Sequence, residues 1–289
     1  MKEYQFLKLR FSGLTTQQIR QFLKGYPYFL ECNKIEQHDL LKQFLSILNV
    51  RRKTHIYNQF VNYNVEQILL QMQQWRVDYI PITHPHYPQL LREIYDPPYI
   101  LFYKGNISLL QSPHTLAVIG SRNATQYTDK ALCYLFPSFK KVNMTIVSGL
   151  AKGADYKAHR YALSMDIPSI AVLGFGHLYH YPKETQKIRN QLEVEGLVIS
   201  EYLPNQTPQK YYFPERNRLI SGLSKGILIT ESKSMSGTRI TTHCALEQNR
   251  EVYVLPGSMF NELTRGNLLS AQEGAKIVLR PSDIINDFL

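Results

Sequence analysis

The stretch that decides the fold is residues 145–159, TIVSGLAKGADYKAH. An apolar run rich in β-branched residues leads into a turn bracketed by Gly149 and Gly153, and a helical pattern follows the turn. Backbone N–H groups can converge in such a turn, and together with the dipole of the following helix they favour an anion. Lys152 adds a positive charge. The stretch therefore predicts a strand, an anion-binding turn and a helix.

The same combination of small residues and a cation follows two other apolar runs, at 116–119 and 227–230. In a parallel sheet, ligands bind beyond the carboxyl ends of the strands. We therefore expect the three turns to form one composite phosphate site. The sequences after the two runs are Gly120-Ser121-Arg122 and Ser236-Gly237-Thr238-Arg239.

From Thr115 onward, apolar runs that predict strands alternate with helical patterns. A repeat of about 25 to 30 residues has the length of one strand and one crossover helix, so the sheet is expected to be mainly parallel. This predicts an α/β domain over residues 115–289. The runs are 116–119, 145–148, 169–173, 197–200, 226–230, 251–255 and 276–279.

The first part of the chain follows a different pattern. Residues 1–75 predict short amphipathic helices, with Thr15 or Thr16 as an N-cap. We interpret them as a small helical N-terminal domain, either packed on the main domain or serving as an independent binding module. Prolines punctuate residues 76–114, which we interpret as a linker and lead-in to the core with one strand at 99–103.

The charge favours a polyanionic partner without pointing to a basic tail. The formal net charge is +10, and residues 1–110 and 111–289 each contribute half of it. Any basic face must therefore be built by folding.

Other features favour a reducing, cytoplasmic environment and argue against a membrane or a metal. The N-terminal sequence lacks a signal-peptide core, and no apolar run is long enough to cross a bilayer. His84, His86 and His114 lack a carboxylate or thiol at ligand spacing, so no metal site is expected. The odd number of widely spaced cysteines indicates buried thiols; they are Cys32, Cys133 and Cys244.

No nucleotide cofactor is expected. The motif Gly174-Phe175-Gly176 is a fragment of a dinucleotide fingerprint without its third glycine. The turn at Gly120 also lacks the GxGxxG spacing, and the arginine that follows it would crowd a pyrophosphate close to the backbone. Both departures argue against an NAD-dependent enzyme.

Asp155 and His159 lie four residues apart at the start of a predicted helix, so they can meet on one face. They could form a general acid/base pair. The alternative that we prefer is structural: Asp155 caps and steadies the glycine turn, and His159 packs behind it.

Aromatic and cationic residues are interleaved in residues 210–218, KYYFPERNR. Such a run suits single-stranded nucleic acid, whose bases stack on aromatic rings while its phosphates pair with Arg and Lys. Alternatively, the aromatic residues are core and one arginine pairs with Glu215 or Glu231. On a helix Arg216 and Arg218 would face different ways, so at most one would reach a ligand.

A series of motifs over residues 80–289 resembles the DNA-processing protein A family, DprA or Smf, in order and spacing. The resemblance implies an extended Rossmann-like domain that binds single-stranded DNA without sequence preference and forms homodimers. It also implies a non-enzymatic protein that loads the recombinase RecA onto incoming strands during natural transformation. The motifs are VIGSRNAT (118–125), SGLAKGADYKAH (148–159), IAVLGFG (170–176), ISEY (199–202), FPERNRLISGLS (213–224), ESKSMSGTRIT (231–241) and VLPG (254–257).

Carried over by motif, the resemblance implies a set of DNA contacts. Cations in the strand-end turns, after Tyr181-Pro182 and in the 216–218 run would contact the strand. Small residues would offer backbone groups to phosphates. The set is Gly120, Ser121, Arg122, Gly149, Lys152, Lys183, Arg216, Arg218, Gly237, Thr238 and Arg239.

Some positions depart from the family pattern. Lys152 stands where the family usually has arginine, Thr185 where it has asparagine, and Arg239 where it has an aliphatic residue. The first keeps the charge, the second loses an amide near the pocket, and the third adds a cation. The chain ends at Leu289, so the C-terminal winged-helix domain of many members is expected to be absent.

The competing function is a nucleotide-processing enzyme of the nucleoside monophosphate hydrolase type. Related Rossmann-like families use a glycine-threonine turn and a glutamate, which Ser236-Gly237-Thr238 and Glu247 superficially resemble. This chain lacks the paired-glycine turn and a convincing acid/base set, so we prefer the non-enzymatic function.

Overall fold

The computed structural model describes residues 2–49 and 51–289 and contains a helical N-terminal part and an α/β part. Thr15 is the N-cap of the second helix, because its side chain accepts the Gln18 N–H while the Gln18 side chain accepts the Thr15 N–H. The N-terminal helices are α1 (Lys2–Phe11), α2 (Thr16–Gly25), α3 (Lys34–Ile47), α4 (Lys53–Asn62) and α5 (Val65–Trp75).

Two apolar clusters hold the helical part together and join it to the sheet. The first lies among the helices and includes the buried rings of Phe22, Phe29 and Phe60. In the second, the ring of Phe11 in α1 packs edge-on against Phe102 of the sheet, with 6.3 Å between ring centroids. The helices therefore pack on the main domain, which was the first of the two alternatives.

Within residues 2–49 and 51–289 the sheet has nine strands, in the spatial order β1-β2-β6-β5-β4-β3-β7-β8-β9. β1 and β2 pair antiparallel with each other, and β2 pairs antiparallel with β6. All pairs from β6 to β9 across the sheet are parallel, which confirms the predicted architecture. The strands are β1 (Asp78–Pro81), β2 (Ile100–Gly105), β3 (Thr115–Ile119), β4 (Thr145–Ser148), β5 (Ser169–Val172), β6 (Leu197–Ser200), β7 (Gly226–Ile229), β8 (Glu251–Val254) and β9 (Lys276–Ile277).

The segment 76–114, expected to be a linker and lead-in, contributes two strands to this sheet. The predicted strand at 99–103 is β2, displaced by one to two residues, whereas β1 was not predicted. β2 occupies the edge of β6 and satisfies backbone groups that would otherwise be open to other chains. The sheet therefore extends beyond the expected boundary at residue 115.

Helices cover both faces of the sheet, and the alternation of side chains along β3 shows how. Leu116 and Val118 face the cluster formed with α7 and α8, and Ala117 and Ile119 face the cluster formed with α10 and α11. The helices of this part are α6 (Gln89–Arg92), α7 (Gln126–Lys141), α8 (Ala154–Ser164), α9 (Gln186–Glu195), α10 (Tyr212–Gly222), α11 (Gly237–Glu247), α12 (Arg265–Gln272) and α13 (Ser282–Ile285).

The strand order creates a switch point at β3. From β3 the chain proceeds through β4, β5 and β6 in one direction, and it returns to β7 on the other side of β3. At such a point the connections leave in opposite directions and open a crevice beyond the carboxyl ends of the strands.

Two further findings concern membrane-spanning helices and metal-binding clusters. In the described residues, none of the helices is both long and apolar enough to pass through a membrane. The same residues contain no group of three or more His, Cys, Asp or Glu side chains arranged to hold a metal ion.

Candidate functional site

A cleft of about 510 Å³ lies at the carboxyl ends of the central strands, at the switch point. It is bounded by the turn after β3, the turn after β4, the start of α10 and the loop that leads into α11. A smaller cavity of about 70 Å³ continues it towards Lys152 and Tyr181. Both cavities are lined by Arg122, Phe213 and Arg216, so they form one continuous groove, which we call the strand-end cleft.

Asp155 holds the turn after β4. Its Oδ2 accepts the N–H of Gly149 at 3.1 Å and that of Ala151 at 3.4 Å, which confirms the structural alternative predicted for this residue. Burial raises the pKa of Asp155, while the Arg216 guanidinium and the two N–H groups act in the opposite direction. The carboxylate therefore fixes the geometry of the turn that borders the cleft.

His159 lies beneath this turn and does not face the cleft. It is fully buried, and its Nδ1 is 2.8 Å from the hydroxyl of Ser169. Burial lowers the pKa of His159 to about 3, so the ring is neutral at physiological pH. The contacts of the two side chains thus support packing and capping, and they do not join Asp155 and His159 as an acid/base pair.

Arg216 forms the floor of the cleft from α10. Its Nη1 donates to the carbonyl of Gly149 at 2.7 Å and also to the carbonyl of Val172. Only 4% of the residue is exposed, and its Nε has no hydrogen-bond partner among the described atoms. Burial lowers the pKa of Arg216, but a guanidinium stays charged at physiological pH. A permanent positive charge therefore lies below the groove.

The close approach of Arg216 explains the glycine at position 149. A Cβ built on Gly149 would lie 2.6 Å from Nη2 and 2.7 Å from Cζ of Arg216. Any side chain there would displace the guanidinium from the two carbonyl groups that hold it. The absence of a side chain at Gly149 therefore makes room for the Arg216 guanidinium, and Gly149 also lines the smaller cavity.

Arg122 is exposed in the turn after β3 and lines both cavities. Buried Glu231 fixes this turn: its carboxylate accepts the Thr125 N–H at 2.7 Å and the hydroxyls of Thr125 and Thr128 at 2.8 and 2.6 Å. The Ser121 N–H donates to the carbonyl of Glu231 at 2.6 Å. Glu231, considered above as an arginine partner, instead positions the loop that carries Arg122.

The two lysines at the far end of the cleft differ in their placement. Lys152 lines the smaller cavity and forms an ion pair with Glu184, and both side chains are more than half exposed. Lys183 is exposed next to Pro182 but lines neither cavity. Because surface ion pairs contribute little free energy, Lys152 can release Glu184 and bind a phosphate instead.

Arg218 faces away from the cleft, as the helical spacing predicted for one of the two arginines in this run. Its Nη2 is 2.6 Å from Glu201 Oε2 and its Nε is 3.0 Å from Asp96 Oδ2. Only 8% of Arg218 is exposed, and it lines neither cavity. A direct DNA contact from Arg218, implied by the resemblance, therefore has no support in this placement.

The loop before α11 supplies the third wall. Gly237 and Thr238 line the cleft, whereas Arg239 is exposed outside it. Ser236, the N-cap of α11, makes no capping hydrogen bond, because its hydroxyl pairs with that of Ser232 at 2.9 Å. The first N–H groups of this helix consequently remain available to an anion.

Sequence reasoning did not single out three residues that the structure brings to the cleft. Lys233 lines it and lies 3.6 Å from exposed Glu262, a separation typical of a loose surface pair. Phe213 forms an apolar wall, and the ring of Tyr181 lies 5.6 Å from it by centroids. The run 210–218 indicated aromatic residues at the site but not which of its rings would be placed there.

Comparisons with known proteins agree on one family. The family model described as DNA recombination-mediator protein A matches residues 78–289. The DNA processing protein DprA of Streptococcus pneumoniae is 36% identical over 285 residues, which cover 99% of this chain and 98% of the relative. Protein Smf of Escherichia coli is 36% identical over 82% of this chain and 63% of its own length.

Solved structures give the same result. The X-ray structure of DprA from Streptococcus pneumoniae superposes with a TM-score of 0.86 at 35% identity and covers 99% of this chain and 98% of that one. DprA from Helicobacter pylori, whose structure is described for its single-stranded DNA binding mode, gives a TM-score of 0.65 at 26% identity, over 73% of this chain and 95% of that one. With the family model, the relatives and the folds in agreement, the chain belongs to the DNA recombination-mediator protein A family.

Proposed function

We propose that this protein binds single-stranded DNA without sequence preference, in the strand-end cleft. The observation that carries the proposal is the convergence of Arg122, Arg216 and the uncapped N-terminus of α11 on one groove beside Phe213. The single-stranded DNA binding mode described for the Helicobacter pylori relative supports the same ligand.

Each wall of the cleft suits one part of a nucleotide. Arg122 and Lys152 would pair with phosphates at the surface, and Arg216 would add its charge from the floor. The N–H groups at the start of α11 would bind a further phosphate. Phe213 would offer a ring face to a base, and stacking accepts every base equally. On this basis we assign the cleft contacts to the turns after β3 and β4, to α10 and to the start of α11.

The cations outside the cleft have secondary roles in the proposal. Lys183 and Arg239 would contact the strand where it enters or leaves the groove, because both are exposed at positions adjacent to lining residues. Arg218 would act through α10, which it fixes by its ion pairs with Glu201 and Asp96.

The test is a titration of fluorescent oligo-dT with wild type and Arg122→Ala/Lys152→Ala over a range of salt concentrations. We expect affinity to fall about tenfold or more and the log–log salt dependence to flatten by about 0.7 for each phosphate that the variant no longer neutralises. Lys130→Ala is the matched control, because Lys130 is exposed on α7 and lines neither cavity. Equal affinity of the folded double variant and wild type would count against the cleft.

We infer that the protein has no nucleotide-hydrolysing activity. Glu247, the candidate glutamate of the enzyme alternative, is exposed on α11, lies 3.5 Å from His243 and does not line the cleft. The turn at Gly237 is therefore separated from the acid that such chemistry would require. Incubation with nucleoside monophosphates followed by chromatography should show no released base, and release that depends on Glu247 would overturn this inference.

We further propose that the protein acts in the cytoplasm as a homodimer that loads RecA onto incoming single strands during natural transformation. The family membership supports this role. Size analysis by light scattering should give twice the mass of the 33.6 kDa chain. The protein should also shorten the lag of RecA-dependent strand exchange on a strand covered by single-strand-binding protein. An unchanged lag would refute the loading role, and a monomeric mass would refute the dimer.

A further inference from the structure

A second group of cations lies in the helical N-terminal part. An open groove of about 420 Å³ is lined by Lys8, Lys34 and residues 61–65. It shares no lining residue with the strand-end cleft. We call it the N-terminal groove.

Most of the Lys8 side chain is buried, and none of the described carboxylates forms an ion pair with it. Only 9% of the residue is exposed, and its Nζ lies 4.4 Å from the centroid of the Phe60 ring. Among the side chains that the structure describes, it has no hydrogen bond or ion pair. Burial, and then the charge of nearby Lys34, lower the pKa of Lys8. A ring face compensates only part of the hydration that a buried ammonium loses.

Two helices begin at the same groove. Lys34 is the first residue of α3 and Val65 the first residue of α5, so both helices direct the positive ends of their dipoles towards it. Asn33 accepts the N–H groups of Ile35 and Glu36, and Asn64 accepts that of Glu66, so among the described residues the first N–H of each helix is left without an intrahelical or capping acceptor. Neither acidic residue of the two first turns lines the groove, and the carboxylate of one of them, Glu36, already accepts the Asn33 N–H at 2.9 Å.

The residues that line the groove carry two ammonium groups and no carboxylate. Two ammonium groups close enough to lower a pKa repel each other, and the positive helix ends add to this repulsion. An oxyanion in the groove would remove the repulsion and accept hydrogen bonds from both ammonium groups. We propose that the N-terminal groove is a binding site for a phosphate group, held by Lys8, Lys34 and the N-terminus of α5.

The phosphate group has two possible sources, a free phosphate or the backbone of a nucleic acid. The experiment uses the full chain in the Arg122→Ala/Lys152→Ala background, which weakens the contribution of the strand-end cleft. Calorimetric titrations with pyrophosphate, and separately with a short oligo-dT, are compared at constant ionic strength. Any binding that remains in the cleft is the same in both chains, so the difference between background and variant does not depend on whether the proposed function is correct.

The variant is Lys8→Met/Lys34→Gln, in which methionine preserves the packing on Phe60 and removes the charge. We expect binding in the background chain and at least about a tenfold loss of affinity in the variant. Lys42→Gln is the control, because Lys42 is exposed on the same helix as Lys34 and does not line the groove. It should bind like the background.

Binding of pyrophosphate alone identifies a free phosphate, and binding of both ligands identifies a site that also accepts a nucleic-acid backbone; either result supports the site. The proposed site is overturned if neither ligand binds the background chain, or if Lys8→Met/Lys34→Gln binds as tightly as the background chain. If Lys8→Met/Lys34→Gln does not fold, Lys34→Gln alone provides the comparison, because its side chain is exposed.

Discussion

Replacing Gly149 by alanine should remove Arg216 from the floor of the cleft. The new Cβ would lie 2.6 to 2.7 Å from the guanidinium, too close for both to keep their positions. Arg216 would lose its hydrogen bonds to the carbonyls of Gly149 and Val172. Hydrogen bonds from a charged donor contribute about 1.5–3 kcal/mol each, so losing both should lower the free energy of unfolding by about 3 kcal/mol at the lower limit.

This loss corresponds to a decrease of about 5 °C in Tm for a chain of this length. Gly237→Ala is the matched control, because apart from its chain neighbours and its own helix no described atom lies within 4 Å of a Cβ built there, and alanine favours the helix that begins at this residue. Differential scanning calorimetry should therefore separate two glycines that looked equivalent in sequence. Equal Tm values for the two variants would refute the explanation of Gly149.

Three further predictions concern buried polar groups. Glu231→Ala should reduce stability by about 3 kcal/mol and weaken oligo-dT binding, because the loop that carries Arg122 loses three hydrogen bonds to this carboxylate. Unchanged affinity for oligo-dT in the variant would contradict this. Arg218→Met should lower the free energy of unfolding by about 3–5 kcal/mol, because the buried carboxylate of Glu201 loses its ion pair with Arg218. Urea denaturation should show that the second substitution Glu201→Gln restores part of this loss. Burial lowers the pKa of both His159 and His177 to about 3, below the unfolded value, so the unfolded chain takes up protons first as pH falls below about 6.5. Each histidine should therefore cost about 1.4 kcal/mol of stability at pH 5.5 relative to pH 7.5, and urea midpoints that do not change between these pH values would refute this.

The parts of the fold that follow local rules could be predicted from the sequence. The apolar runs after Thr115 are strands in the structure. A short run of β-branched residues between a glycine turn and a helical pattern is typical of a buried strand in a parallel sheet. The separation of Arg216 from Arg218 also followed from helical geometry, since residues two apart face different sides.

The parts that depend on distant partners could not be predicted. β1 is short and ends in Pro81, and it forms a strand because it pairs with the otherwise open edge of β2. The burial of Arg218 needs Asp96 and Glu201, which only the folded chain brings to the same helix. Phe213 likewise becomes a cleft wall only because α10 crosses the ends of the strands.

In the proposed function, turns from separate crossover units together bind one DNA strand. Hydrogen–deuterium exchange with and without saturating oligo-dT tests it most directly. We predict that residues 120–123, 149–153 and 236–238 become protected together, while the surface of α7 does not change. Protection confined to a single turn, or located outside the strand-end cleft, would contradict the claim.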